Sequence, residues 1–219
     1  MEIQISRPAT RDESNYLRRE VVFVVEPDPA VREALEARFV IAGWRVEPFT
    51  TLEQFLDRPQ EPVAGCLVLD IAPSLLDRPA FADAVALGRL TPLVFMSMHR
   101  DVPMTVRAMK AGAIDFLTKP LHMDAMLGAV RCALDHSRAA LAQESLLMGL
   151  RDRYSRLSER EREVLRLVVS GLLNKQVGFE LGISEITVKA HRGRLMRKMA
   201  AGSLAELVRM AGQLRLHAG

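Results

Sequence analysis

The chain has 219 residues, of which 49% are apolar and 26% charged, with a net charge of +3; this is the balance of a globular protein and excludes a disordered or collagen-like chain. No run approaches the roughly 18 apolar residues of a membrane span, and the polar stretch 1–20 is unlike a secretory leader, so a cytoplasmic protein without membrane contact is expected. Lys and Arg against Asp and Glu number 15 to 19 over residues 1–136 and 15 to 8 over 137–219, so the basic excess sits in the back third, where a polyanion partner would be met.

After the polar extension, short apolar runs at Val21–Val25, 66–69 and 93–96 alternate with helix-period segments at 30–42 and 102–111, and Phe116-Leu117 close the series. Such alternation predicts an α/β domain over 21–136, a doubly wound parallel five-stranded sheet covered on both faces. Val31, Leu35, Phe39 and Val40 have the spacing of one buried helical stripe. Gly43 should end that helix, and Pro27 and Pro29 belong to the loop before it. Cys66 and Cys132 lack any partner at metal-ligand spacing and read as buried free thiols rather than a disulfide.

Ligands and chemistry in open parallel sheets gather at the carboxyl ends of the strands. That rule singles out Glu26, Asp28, Asp70, Ser97 and Lys119, the last followed by Pro120. Trp44, Met96, Met98, Met104 and Met109 read as packing residues, and His99, His122 and His136 show no ligand spacing. Glycine-rich phosphate loops, nucleophile elbows and zinc motifs do not occur.

A polar helical pattern over 137–154 carries Leu141, Leu146, Leu147 and Leu150 without a sustained heptad, which predicts a linker helix whose stripe faces a domain or a second copy. The remainder, 155–219, predicts four helices. Ser158 and Glu161 have the spacing of a capping box, Gly171 stops that helix, and Gly182 closes a short one begun at Asn174. Ser184 caps a longer helix through Met199, and Ser203 with Glu206 repeats the capping spacing. Two helices joined by the tight Leu181-Gly182-Ile183-Ser184 connection form a helix-turn-helix.

In the longer helix Val188, Leu195 and Met199 should face the core. The opposite side carries Lys189, Ala190, Gly193 and Arg197, with Thr187, Arg192 and Arg194 flanking. Small side chains admit a close backbone while Arg and Lys reach phosphates or guanine edges, so this side suits a major groove.

The stretch from Leu157-Ser158-Glu159-Arg160-Glu161, through Gly171-Leu172-Leu173-Asn174-Lys175-Gln176, to Gly182-Ile183-Ser184-Glu185-Ile186-Thr187-Val188-Lys189-Ala190-His191-Arg192 resembles the LuxR-type domain of FixJ/NarL response regulators. The resemblance implies that Lys175 and His191 contact phosphates, that Lys189 and Ala190 face bases, and that the last helix pairs two copies on double-stranded DNA. It also implies a transcription regulator, not an enzyme, that works with RNA polymerase. The front domain is similar to a receiver domain, which implies Asp70 as phosphoacceptor from a sensor kinase, Ser97 and Lys119 as phosphoryl contacts, Phe116 as switch aromatic, and Mg²⁺ on Glu26 and Asp70.

One departure stands out. Relatives carry two adjacent acids where this chain has Glu26-Pro27, and Asp28 is one place late, so only an acidic remnant is expected; losing a carboxylate from a hard-cation site weakens Mg²⁺. The expectation is a regulator with weakened or absent Mg²⁺-dependent phosphorylation and no required cofactor. The alternatives are conventional activation through Asp70, and a receiver-like domain that docks a sensor or another regulatory protein. A phosphatase built on Asp70, Glu26 and Asp28 would lack a general acid.

Overall fold

In the computed structural model, residues 20–59, 61–99 and 102–214 are described; the N-terminal extension lies outside them apart from Glu20. The chain divides into two compact units, Met1–Ala142 and Gln143–Gly219.

The first unit is built on five strands: β1 Val21–Val25, β2 Arg45–Phe49, β3 Gly65–Asp70, β4 Leu93–Ser97 and β5 Asp115–Thr118. Their order is β2-β1-β3-β4-β5, and every pairing is parallel. Helices α1 Pro29–Ile41, α2 Leu52–Leu56, α3 Pro79–Leu87, α4 Val102–Lys110 and α5 Met123–Ser155 intervene or follow.

Alternate residues of a strand point to opposite faces, which splits the apolar runs between two cores. Phe23, Leu67, Leu69 and Phe95 pack with Phe55, Ala84 and Met104 of α2, α3 and α4. Val22, Val24, Val68 and Met96 pack with Leu35 and Phe39 of α1 and with Met126, Val130 and Leu134 of α5. A sheet buried on both faces therefore needs continuous apolar strands rather than alternating ones.

Several sequence expectations change here. Val40 is 55% exposed, because only Leu35 and Phe39 of the expected stripe point squarely at the sheet. Cys132 is exposed while Cys66 is buried, since Cys132 falls on the outer side of α5. The linker helix expected over 137–154 is the back part of α5, with no break before it.

The second unit contains α6 Glu159–Val169, α7 Asn174–Leu181, α8 Glu185–Met199 and α9 Leu204–Gln213. Ser158 Oγ accepts from Glu161 N at 3.3 Å and Glu161 Oε2 accepts from Ser158 N at 2.8 Å, completing a reciprocal cap. Ser184 and Ser203 cap α8 and α9 through the amides of Thr187 and Glu206. Val164, Leu165, Val168, Val177, Val188, Leu195, Met199 and Leu207 form its core. Gly182 stands at φ 64, the left-handed conformation that lets α7 end and α8 begin within a tight turn. Among the described residues no helix is long and apolar enough to cross a membrane.

Candidate functional site

The strand ends of the first unit bring together three of the expected residues. Lys119, just past β5, donates to Glu26 Oε2 at 2.7 Å and pairs with Asp70 Oδ1 at 3.1 Å. Glu26 is almost fully buried and Asp70 is 23% exposed at the side chain. Burial works against the Lys119 ammonium, yet hydrogen bonds to Glu26 and Asp70 outweigh it and hold its pKa above the ordinary lysine value.

Glu26 Oε1 and the carbonyls of residues 26 and 27 are also engaged. Glu26 Oε1 accepts from the Asp28 amide at 3.0 Å. Asp28 does not join the pocket: it is exposed, and its carboxylate caps α1 by accepting from Ala30 N at 2.8 Å. That correction to the expected acidic remnant follows from the open amides at a helix start, which draw a short acidic side chain. Residue 27 offers only its carbonyl, and that oxygen accepts from Arg32 Nη1 at 3.2 Å, while the Glu26 carbonyl accepts from the same nitrogen at 2.7 Å.

Ser97 is fully buried, and its hydroxyl donates to Ile71 O at 2.7 Å and accepts from His99 N at 3.1 Å. Its bonds thus tie β4 to the segment after β3. Phe116 is half-buried and packs against the core on the α2, α3 and α4 side.

As paired here, these oxygens are held by cationic side chains rather than left open to a divalent cation. A hard cation needs several free, well-placed oxygens, whereas Glu26 and Asp70 already face an ammonium and the neighbouring carbonyls face a guanidinium. Among the described residues no three His, Cys, Asp or Glu side chains converge on a metal position. Arg32 was not singled out from sequence; a basic residue six places after Glu26, on the first turns of α1, was the available signal.

The second unit presents the other cluster. Lys189, Ala190, Gly193, Arg194 and Arg197 are exposed along α8, with Val188, Leu195 and Met199 buried beneath them. Lys189 makes an exposed ion pair with Glu185 at 3.0 Å, and Lys175 is exposed on α7. Thr187 is half-buried, and its hydroxyl lies 2.8 Å from Ser184 Oγ at the cap. Arg192 turns toward α7 and donates to Asn174 Oδ1 at 3.1 Å, so it braces the helix pair rather than lining the outer face. His191 is half-buried as well, with its Nδ1 buried and unbonded among the described residues.

Beneath the turn, Gly178 is packed so closely that a Cβ there would lie 2.8 Å from Ile183 O. On the far side Lys198 Nζ reaches Glu161 Oε2 at 2.7 Å. Burial disfavours the Glu161 carboxylate, but Lys198 and the Ser158 amide prevail and its pKa lies below the ordinary value.

A doubly wound parallel sheet with an Asp and a Lys at its strand ends, followed by a four-helix unit with a helix-turn-helix, is the architecture of a receiver-like domain coupled to a DNA-binding one. Residues 22–131 match the response regulator receiver domain, and residues 155–211 match the bacterial regulatory proteins of the luxR family. The chain is 40% identical over 199 residues to the response regulator protein TodT of Pseudomonas putida, spanning 90% of this chain and 88% of that protein. It is 41% identical over 199 residues to nodulation protein W of Bradyrhizobium diazoefficiens, with the same 90% and 88% shares. The solved response regulator StyR superposes with a TM-score of 0.76 at 41% identity, covering 89% of this chain and 99% of that one. This chain belongs to the response-regulator family that couples a receiver domain to a LuxR-type helix-turn-helix, the DNA-binding transcription regulators of two-component systems.

Proposed function

We propose that this chain binds double-stranded DNA sequence-specifically as a homodimer in the cytoplasm and alters transcription by RNA polymerase, with Mg²⁺-dependent phosphorylation of Asp70 weakened or absent. It acts as a regulator rather than an enzyme and requires no cofactor. The functional parts are a receiver-like domain over 21–136, a linker segment over 137–154 and the DNA-binding domain over 155–219. Leu204 and Val208, at i, i+4 spacing on α9 and 39% and 44% exposed, support pairing of two copies through that helix.

The observation that carries the receiver reading is the Lys119 ammonium set between Glu26 and Asp70. Separating one partner from a buried ion pair costs about 3–5 kcal/mol. A divalent cation would have to displace the Lys119 ammonium before it could use Glu26 Oε2 and Asp70 Oδ1, which lowers its affinity. The Arg32 guanidinium on the Pro27 carbonyl adds like-charge repulsion in the same place.

Incubating the full chain with a small acyl-phosphate donor and Mg²⁺, with intact mass and dimerisation as readouts, tests this. No Asp70-dependent mass gain and no change in assembly are expected. A mass gain that disappears in Asp70→Asn would establish conventional activation instead.

A second reading, in which the receiver unit docks a sensor kinase or another regulatory protein without phosphoryl transfer, is favoured by one feature. A recess of about 580 Å³ beside Lys119 is lined by Ala30, Val31, Met98, Pro120, Leu121 and Met123, and Met98 is 73% exposed. Retention of the purified cognate sensor without phosphodonor, lost in Met98→Asp, would support it; equal retention by both chains would not.

A further inference from the structure

Ile186 is the second residue of α8 and is 80% exposed. Its spacing to Ala190, Gly193 and Arg197 follows i, i+4, i+7 and i+11, which is one stripe along a helix. Each buried residue of α8 lies two places beyond a member of that stripe: Val188 after Ile186, Leu195 after Gly193, Met199 after Arg197. Two residues turn a helix by about 200°, so Ile186 stands on the outermost line of the helix, directly opposite the core.

Local structure gives Ile186 no task there. Ser184 already caps the helix through Thr187 N at 3.1 Å, and an exposed β-branched residue is a weaker helix former than the Lys, Arg or Glu that would dissolve as well. Single exposed apolar residues are common on protein surfaces. Ile186 differs in its company, because Lys189, Arg194 and Arg197 bring phosphates to this side, while Ala190 and Gly193 let the backbone come close. A Cβ on Gly193 would meet nothing within 4 Å, so that position is small without any internal packing need.

A helix that enters the major groove puts its N-terminal residues against base edges. The one apolar group on those edges is the C5-methyl of thymine. We infer that Ile186 is a specificity-determining residue that reads a thymine methyl in each half-site. This rests on α8 being the DNA-reading helix and names what one of its side chains recognises.

The test uses the full chain and duplexes it selects from a random pool. Each thymine of the selected site is replaced in turn by deoxyuridine, which removes only the methyl group. One thymine per half-site should show a loss of about three- to fivefold for the natural chain, the worth of one buried methyl. Ile186→Ala should bind more weakly and no longer distinguish thymine from uracil there, while Ile186→Val keeps the distinction; the exposure of Ile186 leaves folding unaffected in both. If the natural chain ignores every methyl, or Ile186→Ala keeps the same sensitivity, the inference fails while loss of binding in Lys189→Ala and Arg197→Ala still upholds α8 as the reading helix. If no duplex is selected at all, both fall.

Discussion

The Lys119 ammonium past β5 and the Glu26 carboxylate past β1 meet at 2.7 Å with side chains only 11% and 1% exposed. The two residues are 93 positions apart in sequence, so the contact exists only once β1 and β5 are both placed in the sheet, on either side of β3 and β4. It places a positive charge beside the two carboxylates at the strand ends.

Replacing Lys119 by Met should therefore cost the receiver unit about 3 kcal/mol or more, since a buried Glu26 carboxylate is left uncompensated. Urea unfolding of the full chain measures this. Added Mg²⁺ should raise the melting temperature of Lys119→Met by giving Glu26 and Asp70 a new cation, and leave the natural chain unchanged. Equal responses of the two chains would contradict the claim that Lys119 holds the site.

Glu161 links acid stability to the second unit. Its pKa is lowered from the ordinary 4.5, so its contribution is fully present above that value and is lost as pH falls through the lower folded-state value. In the full chain, the protection factors of the α6 amides, taken relative to the intrinsic exchange rate at each pH, should fall as pH drops below about 4.5. Glu161→Gln should lose about 1–2 kcal/mol at neutral pH, through the cap and the Lys198 pair, and show a flatter acid dependence. An unchanged acid profile in Glu161→Gln would refute this assignment.

Gly178→Ala should destabilise the helix-turn-helix by about 1–3 kcal/mol, as overpacking does. The added Cβ meets backbone, Ile183 O at 2.8 Å, rather than a side chain that could swing aside. Since the same turn sets the angle of α8, DNA affinity should fall with it. Thermal melting and duplex binding of the variant check both, and a variant of natural stability would show that the turn yields.

The second unit was legible in the sequence because its signals are local. Ser158, Gly171, Gly182, Ser184 and Ser203 each mark a helix end through a cap or a turn, and each holds that position in the structure. The sheet was legible in its centre, where strands buried on both faces leave unbroken apolar runs. Strand β2 left no such run, since Arg45, Val46, Glu47, Pro48 and Phe49 occupy a half-exposed edge, where polar residues and Pro are tolerated. The acidic pocket was legible in composition but not in wiring: sequence placed Glu26, Asp28, Asp70 and Lys119 at strand ends, yet not that Asp28 would cap α1 or that Arg32 would take the Pro27 carbonyl. Those outcomes depend on local backbone geometry, which residue spacing does not encode.

The central claim is that the cationic outer side of α8 lies in a groove of duplex DNA, and duplex binding of the full chain across a salt series tests it most directly. Affinity should fall by about a thousandfold or more between about 50 mM and about 200 mM salt, as for a dimer making several phosphate contacts per copy. Lys189→Ala and Arg197→Ala should each weaken binding and, where a phosphate contact is lost, reduce the salt slope by about 1. Binding that ignores both salt and these two substitutions would contradict the account.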